Sequence, residues 1–294
     1  MKWKWLAAVM LVFAAACGQG SSDALDERNA SGIENELEAP AVSSANDDKG
    51  KQETEEASEE GMTNEPDEDE AELPNVPEET AEAETLYRMT EIYTIVPIEE
   101  GADKNVVLLT FDDGPKDETM VTTMLEVLEK HEAKAIFFVN GFRVEQNPEL
   151  LKMIYEKGHA IGNHSWDHIN LREASNDQID QQVEAVQRKV EELTGEAPQF
   201  FRPPHGAGND YLKQKVKEEG MLYMTWSTSP EDWLAQNQTA EKVIELTLER
   251  VHPGANLLMH EVPWTVEALD EMLTKLKEKG YAFVDPHAIE IALD

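Results

Sequence analysis

Residues 106–115 read Val106-Val107-Leu108-Leu109-Thr110-Phe111-Asp112-Asp113-Gly114-Pro115. Six apolar or β-branched residues stop abruptly at two carboxylates and a Gly-Pro turn. A run of that length and composition predicts a strand buried on both faces, the kind found in parallel sheets. Two adjacent like charges at its end are costly unless a cation or a proton separates their roles. Asp-Asp-Gly-Pro is also a good turn sequence, so turn chemistry alone is the competing explanation.

Moving outward, the same punctuation recurs. Apolar strand runs are predicted at 106–111, 135–139, 160–164, 199–203, 222–227, 256–260 and 281–285. Amphipathic helical periods fall between them at 118–131, 148–157, 176–194, 210–219, 239–251 and 265–279. Asn147-Pro148 starts one helix, and Gly158, Gly195, Gly220 and Gly280 follow others, where glycine accepts the left-handed turn. Strands alternating with helices imply an α/β fold, a parallel sheet with right-handed crossovers. About 190 residues is enough for a distorted (β/α)7-type barrel with mostly parallel strands and short for eight units. Residues 86–104 are expected to form an entry strand or cover.

In such folds the functional groups gather at the C-terminal ends of strands. Asp112 and Asp113 end the first run, His164 the third, Arg202 to Gly206 the fourth and His260 the sixth, while Trp226 to Trp233 follow the fifth. His164-Ser165-Trp166-Asp167-His168 carries two imidazoles four apart, which a helical turn would place on one side. No Glu follows the first His, so the pattern is not that of zinc proteases. Two histidines and one carboxylate suit a three-ligand metal site with open positions, while surface or capping histidines would explain the pair without a metal. In Leu257-Leu258-Met259-His260, Leu257 and Met259 alternate with Leu258 and His260. His260 could be a buried histidine bonded to a carbonyl, or a general acid held by Asp232.

Those residues, taken together, resemble the polysaccharide deacetylases of carbohydrate esterase family 4. The resemblance spans roughly 105–290 and follows five motifs in order. These are Thr110-Phe111-Asp112-Asp113-Gly114-Pro115, His164-Ser165-Trp166-Asp167-His168, Arg202-Pro203-Pro204-His205-Gly206, Ser229-Pro230-Glu231-Asp232-Trp233 and Leu257-Leu258-Met259-His260. The family usually has Tyr where His205 stands and Asp where Ser229 stands. Ser229 is therefore expected to remove a charge from the groove rim.

The resemblance implies metal-dependent hydrolysis of N-acetyl groups on an extracellular polysaccharide. Asp113, His164 and His168 would hold zinc, with cobalt or another divalent ion accepted. Asp112 would be the general base and His260 the general acid, with Arg202 orienting Asp112 and Asp232 orienting His260. The backbone N–H of His205 would face the oxyanion, and Pro204, Trp233 and Leu258 would contact the sugar. Two other readings compete: a wall-binding protein of this fold with little activity, and a metal amidohydrolase of small amides.

The N-terminal part has a different character. Lys2 and Lys4 precede an apolar stretch, 5–16, ending in Ala14-Ala15-Ala16 before Cys17, the one cysteine. Twelve apolar residues are short of the roughly 20 that span a bilayer, so 1–17 read as a signal peptide. Cys17 after small residues resembles a bacterial lipoprotein signal, although Ala14 stands where leucine is usual. A lipid on Cys17 would anchor the chain to the outer face of the cell membrane. Residues 18–85 hold 23 acidic and 3 basic side chains, a net of −20. Such a segment is expected to be a disordered acidic tether, roughly 45 Å end to end as a coil. Residues 86–294 then form the catalytic domain. With a net charge of −36 over 294 residues, the chain would be repelled by nucleic acid.

Overall fold

The computed structural model describes residues 84–292. The expected signal peptide, Cys17 and the acidic tether up to residue 83 lie outside the described residues. Nine strands and seven helices follow one another through the domain. The first two strands, β1 (Tyr87–Met89) and β2 (Ile95–Pro97), pair with each other antiparallel. The other seven are β3 (Val106–Gly114), β4 (Ala135–Val139), β5 (Ala160–Asn163), β6 (Phe200–Phe201), β7 (Leu222–Tyr223), β8 (Ala255–His260) and β9 (Ala282–Phe283). They form one parallel sheet in the order β7-β6-β5-β4-β3-β8, with β9 also on β3. The helices are α1 (Glu118–Lys130), α2 (Gly141–Gln146), α3 (Pro148–Glu156), α4 (Asn176–Thr194), α5 (Asp210–Glu218), α6 (Ala240–Arg250) and α7 (Pro263–Glu278). None of the described helices is long and apolar enough to cross a membrane.

Local chemistry sets these boundaries. Asp117 caps α1 by accepting the Met120 N–H. Ser175 and Gln178 form a reciprocal capping box at the start of α4, and Gly195 ends it with a φ of 84°. Pro148 opens α3 at a position where no N–H is needed.

Alternation along the strands divides the core into two layers. Val107, Leu109 and Phe111 of β3, Phe137 of β4 and Leu257 and Met259 of β8 point outward to α1, α3, α6 and α7. Val106 and Leu108 point inward, with Ile136, Phe138, Phe200 and Met224. Continuing that inward row up β3 reaches Thr110 and then Asp112. On β8 it reaches Leu258 and then His260, and the strand register sets Asp112 opposite His260. The buried wall of the barrel is thus continuous with its polar mouth.

Residues 86–104 are not a further barrel strand. The β1–β2 hairpin closes the opposite end, where Tyr87 and Ile95 pack with Val106, Leu108, Val284 and Ile289. Gly254 makes this possible. Its φ is 75°, and a Cβ there would stand 2.0 Å from the Ile95 carbonyl oxygen. The ring is completed without an eighth strand. The segment after β7 swings back to β8, where Thr228 forms an isolated parallel bridge with Leu257. The Ser227 and Thr228 N–H groups both donate to the Asn256 carbonyl.

Candidate functional site

At the C-terminal mouth, Asp112, Asp113, His164, His168, Trp233, Leu258 and His260 line one cavity of about 530 Å³. Pro203, His205, Gly206, Trp226 and Val262 complete its wall. Sequence reasoning had chosen Pro204, which the structure corrects. Pro204 is buried inside a short 3-10 turn, Pro204–Gly206, and does not line the cavity, whereas its neighbour Pro203 does. Ser229 is corrected too. It is buried rather than at the rim, and its hydroxyl accepts the Glu231 N–H at 2.9 Å. Substituting a serine there shapes a turn and removes no charge from the cavity wall.

The two adjacent aspartates point in different directions. Asp112 continues β3 and is 3% exposed. Asp113 takes a φ of 70°, a left-handed conformation that turns its carboxylate away from the strand's alternation. Asp112 Oδ1 accepts from Arg202 Nη1 at 2.6 Å. Arg202 is completely buried and fully engaged. Nη1 also donates to Thr110 Oγ1 at 2.8 Å, Nη2 to Asn256 Oδ1 at 3.1 Å and Nε to the Thr225 carbonyl at 3.0 Å. Its guanidinium lies 4.2 Å from the centre of the Phe138 ring. Thr110 was part of the first motif without a role of its own, and Asn256 was not singled out from sequence. Both lie on the inward row of their strands, and that alternation was the available signal.

Asp113, His164 and His168 each offer one donor atom, and these three atoms lie within 4.8 Å of one another. The histidines do not share a helical turn, as their spacing had suggested. They sit on a loop after β5, with Ser165 at φ 67° and His168 at φ 56°. Left-handed residues cost roughly 1–3 kcal/mol each when they are not glycine, and they persist where the surroundings demand them. His164 Nδ1 lies 2.7 Å from the Arg202 carbonyl oxygen. That bond assigns the proton to Nδ1 and leaves the Nε2 lone pair facing the cluster. Asp113 Oδ1 is buried without a hydrogen bond, although His168 Nε2 approaches to 3.2 Å and His164 Nε2 to 3.6 Å. Nitrogen–oxygen separations of this size without a hydrogen bond suit donor atoms that would share a divalent cation. Burial pushes the Asp113 carboxyl up, but His164, His168, His260 and Lys116 together outweigh it and hold the group below its usual range. Burial depresses His168, which favours the neutral ligand form.

On β8, next to Asp112 in the sheet, His260 Nδ1 bonds Asp232 Oδ1 at 2.7 Å, and its backbone N–H donates to Asp232 Oδ2 at 2.8 Å. Thr265 Oγ1 and Trp264 Nε1 fix Asp232 further, at 2.6 Å and 2.8 Å to its Oδ2 and carbonyl oxygen. Burial opposes the charged imidazole, yet the bond to Asp232 prevails and raises the His260 pKa. Replacing Asp232 with asparagine removes that support. In kcat against pH, activity that depends on protonated His260 is lost as pH rises through its pKa. The alkaline limb of the D232N profile is therefore expected at lower pH than in the parent. An unmoved limb would remove His260 from that role.

Glu261, directly after His260, was also missed. It is 1% exposed, and its Oε1 accepts the Lys116 and Asp117 N–H groups at 2.7 and 3.0 Å. Burial raises its pKa. Gly114 leaves room for it, since a Cβ there would meet Oε2 at 2.4 Å. Glu261 thereby ties the turn after Asp113 to the end of β8.

The family profile described as polysaccharide deacetylase matches residues 99–224. The peptidoglycan-N-acetylmuramic acid deacetylase PdaA of Bacillus subtilis is 36% identical over 183 residues, 61% of this chain and 69% of that one. The chain belongs to the polysaccharide deacetylase family. A peptidoglycan-N-acetylglucosamine deacetylase, PgdA of Listeria monocytogenes, is 42% identical over 179 residues, 60% of this chain. The chain matches only 37% of the length of that relative. Among solved structures of the family, a CE4 family pseudoenzyme from Bacillus anthracis superposes with a TM-score of 0.59 at 34% identity. That match covers 62% of this chain and 63% of the other. Membership of the polysaccharide deacetylase family thus includes chains without activity, and the cavity has to carry the functional argument.

Proposed function

We propose that this domain hydrolyses the N-acetyl groups of a peptidoglycan-type glycan, releasing acetate and a free amine. The observation that carries the reading is one cavity holding Arg202-bound Asp112, Asp232-bound His260 and the Asp113-His164-His168 donor set. These three donors would hold a divalent cation, zinc by ligand type, which would act as a Lewis acid toward the acetamide carbonyl. Asp112, its Oδ1 committed to Arg202, accepts the proton of the attacking water through Oδ2. The new C–O bond places negative charge on the former carbonyl oxygen, toward which the backbone N–H of His205 would be directed. The C–N bond then breaks as His260 gives the proton on Nε2 to the departing nitrogen. Trp233, 42% exposed, and the buried Leu258 of the cavity lining suit a sugar face and the acetyl methyl.

The substrate assignment draws on the relatives' names, which include both N-acetylglucosamine and N-acetylmuramic acid deacetylases. A position outside the cell, anchored through a lipid on Cys17 with 18–85 as a tether, is supported by the sequence pattern of residues 1–17 and by the peptidoglycan assignment.

The test uses purified chain and acetate release from peptidoglycan and chito-oligosaccharide. Activity is expected, lost in chelator and restored by a divalent metal. Release unaffected by chelation would exclude the metal role. The B. anthracis pseudoenzyme motivates a second reading, a wall-binding protein without turnover. Retained binding to wall material with no acetate from any glycan would favour it.

A further inference from the structure

Beside the main cavity lies a second, of about 230 Å³, lined by Asp113, Lys116, Asn140, Phe142, Arg143, Asp167 and His168. The two cavities share Asp113 and His168, so those side chains form a common wall. The second cavity brings two cationic side chains together in a domain whose residues 86–294 carry a net −18. Of its two carboxylates, Asp167 is hydrogen-bonded and Asp113 is shared with the donor set. Asp113 faces the imidazoles, and Asp167 Oδ2 accepts from Gln182 Nε2 at 2.7 Å. Lys116 Nζ donates to the Glu261 carbonyl at 3.2 Å and stays 3.9 Å from Asp113 Oδ2. Arg143 sits on α2, its guanidinium 4.8 Å from the Phe142 ring centre. Its Nε is buried and has no hydrogen-bond partner among the described residues. The terminal Nη1 and Nη2 groups are the ones left to meet a ligand in the cavity, and a carboxylate is the acceptor that best matches a guanidinium.

We infer that Lys116 and Arg143 form a carboxylate subsite, selecting glycan units that bear an acid group next to the acetamide. This rests on the deacetylase reading and sharpens its substrate. In N-acetylmuramic acid, the lactyl ether is on the ring carbon adjacent to the one bearing the acetamide. With the acetamide at the Asp113-His164-His168 cluster, that substituent has to fall in a space bordering the cluster. N-acetylglucosamine has only a hydroxyl there. A second source of the same chemistry is a carboxylate of the stem peptide carried on the lactyl group.

The test compares kcat/KM on three glycans: neutral chito-oligosaccharide, peptide-free glycan with free lactyl carboxylates, and glycan with its stem peptides, where the lactyl carboxyl is an amide. The parent chain is expected to prefer an acidic glycan. Arg143→Gln is expected to lower the acidic-to-neutral ratio about tenfold, through KM, and Arg143→Lys to recover part of it, as loss and partial replacement of one charge-assisted bond predict. Preference for the peptide-free glycan assigns the lactyl carboxylate, and preference for the peptide-bearing glycan assigns the stem peptide. A ratio unchanged in Arg143→Gln and in Lys116→Gln overturns the subsite.

Titration with a GlcNAc–MurNAc disaccharide against chitobiose, in parent and R143Q protein, separates the two readings. If no glycan releases acetate, the deacetylase reading falls. The subsite still stands if Arg143→Gln weakens the disaccharide alone, and it falls if the two sugars bind alike.

Discussion

Asp112→Asn is expected to lower kcat for acetate release by roughly 10²–10⁴-fold, the span typical of losing a general base. The substitution is close to isosteric. Asparagine still offers Oδ1 to Arg202 Nη1, so the 2.6 Å contact has a successor. What disappears is the proton-accepting charge on Oδ2. Asp112 does not belong to the three-donor cluster, so metal content is expected to be unchanged. The check is acetate release together with metal analysis of the same preparation. Near-parent activity with full metal content would move the base elsewhere. Lost activity with lost metal would assign Asp112 to the metal rather than to the proton.

Arg202→Met is expected to be the most damaging single change to stability, about 3–5 kcal/mol, because it strips a buried carboxylate of its counter-charge. The structural reason is specific. Arg202 is wholly enclosed and its four polar contacts join β3, the segment after β7 and β8. Methionine fills similar length but leaves Asn256 Oδ1 and Asp112 Oδ1 short of a donor, while the Thr225 carbonyl keeps only Asn256 Nδ2. Denaturant unfolding of the parent, each single variant and the double variant measures the coupling. In the Asp112→Asn background, Arg202→Met is expected to cost less than it does alone. Equal costs in both backgrounds would mean that the pair contributes packing and no charge compensation.

How legible this was from sequence depends on what each residue's placement rests on. The strand at 106 and helix α4 were readable because a buried run, an amphipathic period and a terminal glycine are local signals. The shortest strands, β6, β7 and β9, were drawn too long. Apolar runs such as 222–227 continue beyond the two residues that pair, and hydrophobicity does not report where a ladder stops. The donor set of Asp113, His164 and His168 was chosen by motif, but its geometry was not accessible. It depends on left-handed backbone at Asp113, Ser165 and His168, residue types that give no local cue for it. The exchange of Pro204 for Pro203 has the same origin, since His205 at φ 59° turns the chain within one residue. Arg143 and Glu261 could not have been found, because each matters only through partners brought from distant strands and loops.

The Thr228–Leu257 bridge has a mechanical consequence. β3 is held to β8 through six register pairs, and to β4 through five. The seam between the segment after β7 and β8 rests on a single bridge and a few hydrogen bonds. Segments with few backbone bonds open at the lowest free energy. Breathing of the barrel is therefore concentrated in the segment after β7, beside Trp226, where the sugar would lie. The flank bearing the two aspartates stays stiff. Fixed reacting groups and a compliant sugar wall are built into the same ring.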